Sequence, residues 1–230
     1  MRKYINEEPK LLQHRKNCFW VGCGGRCWLL PSMWGYKEED SDSDNCSNPL
    51  TALGSWMDED TLAPPCPSLN EFLPHIYSLC ELSPDDVLLD LGCGDGRVCM
   101  GAVDNGAKYS VGVEIEEDVC RHFESEIERR ALGDRVRCIN GDVRTVDLCK
   151  PVPAFAETTV IVLYLLPEGT EAVKEKVGQW LKGGGDLPGP RRRCVCNTWG
   201  FKDWKWKEKV VVEECNGTNL FLYDAGWDGG

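Results

Sequence analysis

The sequence predicts an α/β domain built on a doubly wound, mostly parallel sheet that closes on an antiparallel C-terminal hairpin edge. Three observations predict it. From Pro67 onward, short apolar runs alternate with amphipathic helical stretches, the pattern of a parallel sheet with crossover helices. A glycine-rich loop, Gly92 to Gly96, joins the first apolar run to a helix. The last two runs are separated by Asn216-Gly217, a hairpin signal.

The elements follow in order. Ser68-Leu69-Asn70-Glu71 reads as a capping box with Ser68 at the N-cap. Leu69, Phe72, Leu73, Ile76 and Cys80 give the helical stripe behind it, and Pro74 demands a kink or a late start. Val87 to Leu91 is a strand apolar on both faces, so both faces are expected to be covered. A helix over about Arg97 to Asp104 follows the glycine loop. Tyr109 to Glu114 is the second strand, and Glu117 to about Leu132 a helix stopped by Gly133. Val136 to Asn140 and Thr159 to Tyr164 are the third and fourth strands. Pro167 opens the next helix, which ends at Lys182-Gly183-Gly184-Gly185. Arg193 to Thr198 is the fifth strand, and Val210 to Glu213 with Leu220 to Tyr223 form the hairpin.

Residues 1–60 read differently. Cys18, Trp20, Cys23, Cys27, Trp28 and Trp34 recur without period, and an acidic run from Lys37 to Asn45 follows. That run has no apolar surface to bury and reads as a solvated linker. Two regions are therefore expected: an irregular or partly disordered N-terminal extension over 1–60 and the α/β domain over 61–230.

Lys and Arg number 26 against 38 Asp and Glu, a formal charge of −12. Such a surface repels phosphate at long range and disfavours nucleic acid as a partner. Arg191-Arg192-Arg193 is the one evident basic cluster. No run of 18 apolar residues suggests a transmembrane segment. Several of the 14 cysteines, Cys99, Cys120 and Cys138 among them, sit in apolar runs where a reduced thiol packs as a small hydrophobe. A reducing intracellular compartment is expected, the cytoplasm ahead of the mitochondrion. Cys194-x-Cys196 is read as alternate residues facing opposite sides of a strand, and no metal site is expected there.

Asp90-Leu91-Gly92-Cys93-Gly94-Asp95-Gly96 carries the chemistry. A glycine loop at the carboxyl end of a first strand lets a ligand approach the backbone. The dinucleotide fingerprint G-x-G-x-x-G/A would place Gly or Ala where this chain has Arg97, which argues against NAD. Glu114 ends the second strand, 24 residues after Asp90, where a carboxylate can accept both hydroxyls of a ribose.

The loop resembles motif I of the class I S-adenosylmethionine-dependent methyltransferases. Leu88 to Val98 (LLDLGCGDGRV), Thr159 to Glu168 (TVIVLYLLPE) and Asn197 to Trp204 (NTWGFKDW) are similar to a narrower group, which includes lysine methyltransferases of the ATP synthase c subunit and the adenine nucleotide translocase. The resemblance spans about residues 62–224. It implies a Rossmann-like, seven-strand fold, S-adenosyl-L-methionine as cofactor, and N-methylation of lysine on a protein substrate. It implies that Gly92, Cys93, Gly94 and Gly96 cradle the methionine part, with Cys93 a small filler. Asp90 would place the amino-acid end, Asp142 the adenine amine, and Val143 the adenine ring. The chain departs from the group in residues 1–60, in the longer Gly183 to Arg193 segment, and in the partial match of Pro64 to Ser68.

The fourth strand ends at Tyr164-Leu165-Leu166-Pro167, without the Asp/Asn-Pro-Pro-aromatic sequence usual for nucleic-acid amino-methyltransferases. Tyr164 is the candidate catalytic residue, presenting ring or hydroxyl to an incoming amine, with packing as the equal alternative. Trp199 and Trp204 are candidates for a substrate wall. A small-molecule methyltransferase and a non-catalytic cofactor-binding module remain as alternative functions. The oligomeric state is open.

Overall fold

A computed structural model of the chain describes residues 67–148, 158–183, 192–213 and 217–224. The expected N-terminal extension, the Pro64 to Cys66 segment, residues 184–191 and Asn216 lie outside the described residues. In chain order the elements are α1 (Phe72–Leu79), β1 (Val87–Leu91), α2 (Arg97–Asp104), β2 (Tyr109–Glu114), α3 (Glu117–Arg129), β3 (Val136–Asn140), β4 (Val160–Leu163), α4 (Pro167–Lys182), β5 (Arg193–Asn197), β6 (Glu208–Val212) and β7 (Thr218–Asp224).

The strands form one seven-stranded sheet in the order β3-β2-β1-β4-β5-β7-β6. β1 to β5 pair in parallel, and β7 runs antiparallel to both β5 and β6. The antiparallel strand therefore lies inside the sheet, with β6 as the outer edge. Alternation along each strand divides the core into two layers. Leu88, Val160, Val162 and Val195 pack against α1, α2 and α3. Leu89, Leu91, Ile161 and Leu163 pack against Val173, Val177, Trp180 and Leu181 of α4. β1 is buried at every position, Asp90 included, because helices cover both of its faces, as its largely apolar run predicts.

Several local expectations are corrected. Ser68 caps no helix. The helix starts late, at Phe72, behind Glu71, which makes no side-chain cap. Pro74 thus falls in the first turn, where a missing N–H costs nothing. Gly133 does not stop α3. Ala131 does, at φ 54°. Its N–H donates to the Glu128 carbonyl at 3.0 Å, and the Leu132 N–H donates to Ile127 at 2.9 Å, a Schellman ending. α1 ends the same way through Glu81, and α2 through Gly106.

Cys194 and Cys196 face the same side, both buried in the α4 layer, because residues two apart on a strand share a face. The arginine cluster is not a free basic patch. Arg193 is buried and paired with Asp86, and Arg192 donates to the Trp180 carbonyl at 2.6 Å; Arg191 lies outside the described residues. Among the described residues, no helix is long and apolar enough to cross a membrane.

Candidate functional site

The register aligns the carboxyl ends of the parallel strands. Leu91 lies beside Val113 and Leu163, Glu114 beside Asn140, and Leu163 beside Cys196. The segments leaving β1 to β5 therefore emerge along one edge. Strand order reverses between β1 and β4, the position where such sheets bind ligands. The glycine loop, Glu114, the turn after β3, Tyr164 and Trp199 all lie on this edge.

The loop leaves β1 by a turn in which Gly92, Gly94 and Gly96 all have positive φ. The N–H groups of Gly92 and Cys93 both donate to the Val113 carbonyl, at 2.8 and 3.0 Å, which ties the loop to β2. Two of the glycines serve opposite ends. A Cβ on Gly96 would meet the Phe123 ring at 1.9 Å, so this glycine lets α2 approach α3. A Cβ on Gly94 would meet nothing within 4 Å, so its backbone faces open space. Cys93 is buried, with its sulfur above Gly112, and burial pushes its thiol pKa up. Its side chain fills the space left by the missing Cβ of Gly112.

Arg97, the residue that breaks the dinucleotide fingerprint, has a definite use. Its guanidinium pairs with Asp95 at 2.7 Å and donates to the Ser68 carbonyl at 3.0 Å. The Ser68 hydroxyl in turn accepts from buried Asn197 at 3.3 Å, at the end of β5. This chain of contacts links the glycine loop to the far side of the site through the segment before α1. The sequence flagged Arg97 only as a mismatch and Ser68 only as a cap. Pairing across 129 residues has no local signal.

Three acidic residues have distinct surroundings. Asp90 is 4% exposed. Burial, reinforced by Glu114 and Asp95, pushes its carboxyl up to about 8. Glu114 spans the gap between β2 and the loop. One oxygen accepts from the Gly94 N–H at 2.9 Å, and the other from the N–H groups of Ile115 and Glu116 at 2.9 and 3.0 Å. Asp142, after β3, is engaged by its neighbour. The Arg144 side chain contacts both oxygens, at 3.0 and 2.8 Å from Nε, and the Arg144 N–H adds a bond of 2.7 Å. These contacts hold the Asp142 carboxyl below its ordinary value. Val143 is buried in the α4 layer.

β4 ends at Leu163, one residue before Tyr164. Tyr164 is half-buried and stacks on Trp199, with ring centroids 6.2 Å apart and planes 19° apart. Trp199 follows a tight turn in which Thr198 has φ 69° and the Trp199 N–H donates to Asn197 at 2.8 Å. Trp204 takes no part in this wall. It is buried against Phe201 and Tyr223, at 4.2 and 5.8 Å.

The arrangement offers a glycine loop, a buried carboxylate and a half-buried aromatic pair on one edge. Those features fit an elongated ligand with a cationic end. Residues 90–208 match the ANTKMT methyltransferase domain. The chain is 30% identical over 165 residues to a protein-lysine N-methyltransferase of Saccharolobus islandicus, covering 71% of this chain and 94% of that protein. It is 26% identical to the ribosomal protein L11 methyltransferase of Haemophilus influenzae, of which it spans about half the length, 49%. Among solved structures it is similar to an RNA methyltransferase from Salinibacter ruber in complex with S-adenosyl-L-homocysteine. The TM-score is 0.58 at 25% identity, covering 69% of this chain and 92% of that one.

Proposed function

We propose that this chain, which belongs to the ANTKMT methyltransferase family, N-methylates lysine side chains of a protein substrate. It is an S-adenosylmethionine-dependent methyltransferase of class I, with the seven-strand sheet of that class. Bound S-adenosylmethionine supplies an electrophilic methyl group and departs as a neutral sulfide.

In this reading the chain's residues divide the work. Gly92, Cys93, Gly94 and Gly96 form the backbone cradle, which the open space at Gly94 supports. Asp90 takes the ammonium of the amino-acid end, a role supported by its burial at the carboxyl end of β1. Glu114 accepts the ribose hydroxyls from its place beside the loop. Asp142 and Val143 receive the adenine, and Arg144 must yield part of its hold on Asp142 to the base amine. Tyr164 orients the acceptor amine.

One observation carries the lysine assignment: the Tyr164–Trp199 stack at the carboxyl edge, half-buried and next to the strand that borders the glycine loop. Aromatic faces attract an ammonium, and a drier slot favours the neutral amine that attacks. Catalysis then consists of alignment and exclusion of water. The 30% identical protein-lysine relative supports the same acceptor class, as does the net charge of −12, which is unsuited to a phosphate backbone. The free, buried cysteines of the described residues support a reducing compartment, the cytoplasm ahead of the mitochondrion.

The test is methyl transfer from labelled S-adenosylmethionine into a whole-cell lysate, with protease and ribonuclease arms. Label that resists ribonuclease and maps to lysine in a digested protein is the expected result. Label in RNA or in a small molecule overturns the lysine assignment.

A further inference from the structure

Of the two half-buried lysines of α4, Lys174 and Lys176, the second lies beside the core residues Val173, Val177 and Trp180. Its ammonium is fully committed. It donates to the carbonyls of Val143 at 2.8 Å, Arg144 at 2.6 Å and Val146 at 2.7 Å. An ammonium has three donors, so one side chain satisfies three backbone acceptors of a single turn. That turn follows β3 and is curled on itself: the N–H groups of Thr145 and Val146 both donate to the Asp142 carbonyl, at 3.0 and 3.1 Å. Curling aims the Val143, Arg144 and Val146 carbonyls toward α4, where, without a donor, they would be left poorly satisfied or would turn to water.

We propose that Lys176 is a positioning residue for the base pocket, fixing the Asp142 to Val146 turn so that the Asp142 carboxylate and the Val143 side chain meet the adenine of the cofactor. The inference rests on the base-pocket reading of Asp142 and Val143 given above. Lys176 acts through the turn and touches no ligand itself. Its charge is suited to this task because Asp142 and Asp147 lie near enough to favour the ammonium, against the burial that lowers its pKa. A methionine of similar length would fill the same space and hold none of the carbonyls. The helix itself would remain packed through Val173, Val177 and Trp180.

The experiment measures binding of S-adenosylhomocysteine and S-inosylhomocysteine to the full chain by calorimetry, in wild type, K176M and D142A. The inosine ligand replaces the exocyclic amine by a carbonyl, so the ratio of the two affinities reads the turn's grip on the base. Wild type is expected to prefer adenine by about tenfold or more, the scale of a hydrogen bond to a charged group. K176M is expected to lose most of that preference while melting as a folded protein. A K176M protein that keeps the full preference overturns the inference and leaves the base-pocket reading standing. A wild type without preference, together with a D142A protein of unchanged affinity, overturns the base-pocket reading and the inference with it. Should K176M fail to fold, K176R is read by the same ratio. Its planar fork cannot meet three converging carbonyls, so an intermediate preference is expected, and an unchanged one overturns the inference.

Discussion

Asp90 is buried, and burial, reinforced by Glu114 and Asp95, pushes its carboxyl up to about 8, because the charged form is both desolvated and repelled. A cationic ligand end reverses both effects. S-adenosylhomocysteine affinity should therefore rise between pH 6 and 8, and binding at pH 7 should release a proton, read by calorimetry in two buffers of different ionisation heat. Affinity flat across that range overturns the role. The ligand-free protein carries the opposite sign. A folded pKa raised above the ordinary carboxyl value of 3.8 gives stability that is full below that value and falls as pH rises through about 8. Asp90→Asn should then melt above wild type at pH 9 while binding the cofactor more weakly; a lower melting point there would contradict the burial argument. Glu114→Ala removes a charged acceptor and also frees the Gly94 N–H, so cofactor affinity should fall roughly 10- to 150-fold. Calorimetry that finds no change would remove Glu114 from the site.

Among the elements, α1, α2 and α3 share one ending, but only α2 has glycine in the left-handed position, at Gly106. Ala131 in α3 pays the side-chain penalty of that conformation. Replacing it by glycine should stabilise the protein by up to about 1 kcal/mol, after the entropy of the unfolded glycine is set against the strain relieved. A urea midpoint that shifts down instead would show that Ala131 is held without strain. The ends of β4 and β5 bring two aromatic rings together. Leu163 is the last core residue of β4, and Tyr164, one step on, stacks on Trp199 rather than packing inward. If Tyr164 orients the acceptor amine as proposed, Tyr164→Ala should lower kcat by about tenfold or more with cofactor affinity nearly intact. A stability loss of about 3–5 kcal/mol with normal kcat in the surviving fold would make it a packing residue instead. Tyr164→Phe separates ring from hydroxyl.

Across the whole molecule, the two ends of the sheet have different tasks. The amino-terminal end, away from the site, is fastened by a buried cluster. Asp86 accepts from the Ser83 N–H and hydroxyl, both at 2.8 Å, from Thr159 at 2.6 Å, and from Arg193. Arg193 also donates to the Cys80 carbonyl at the end of α1. The cluster joins the approach to β1, the start of β4 and the start of β5. Asp86→Ala leaves a buried guanidinium unpaired and should cost about 3–5 kcal/mol, measured by denaturant unfolding. Cofactor affinity of the folded fraction should not change, since the carboxyl edge is built from other residues. A mutant of near wild-type stability would show that water replaces the carboxylate.

The strand and helix order, the glycine loop and the order of its acidic partners were determined by the sequence itself. They rest on local rules: unbroken apolar runs for strands covered on both faces, glycine where the backbone must turn, proline at a helix start. Helix ends were less legible, because Ala131 and Glu81 take a conformation normally signalled by glycine, held there by backbone hydrogen bonds and a packed Leu132 and Leu82. What only the tertiary structure decided is how distant side chains share work. Trp199 and Trp204, alike in sequence, separate into a stacked wall and a core filler because one follows a turn at the edge and the other packs on Tyr223. Arg97 reaches Ser68, Arg193 reaches Asp86, and Lys176 reaches the turn after β3. Each is a cation paired across 29 residues or more, a partnership set by sheet order and helix packing and by no pattern along the chain.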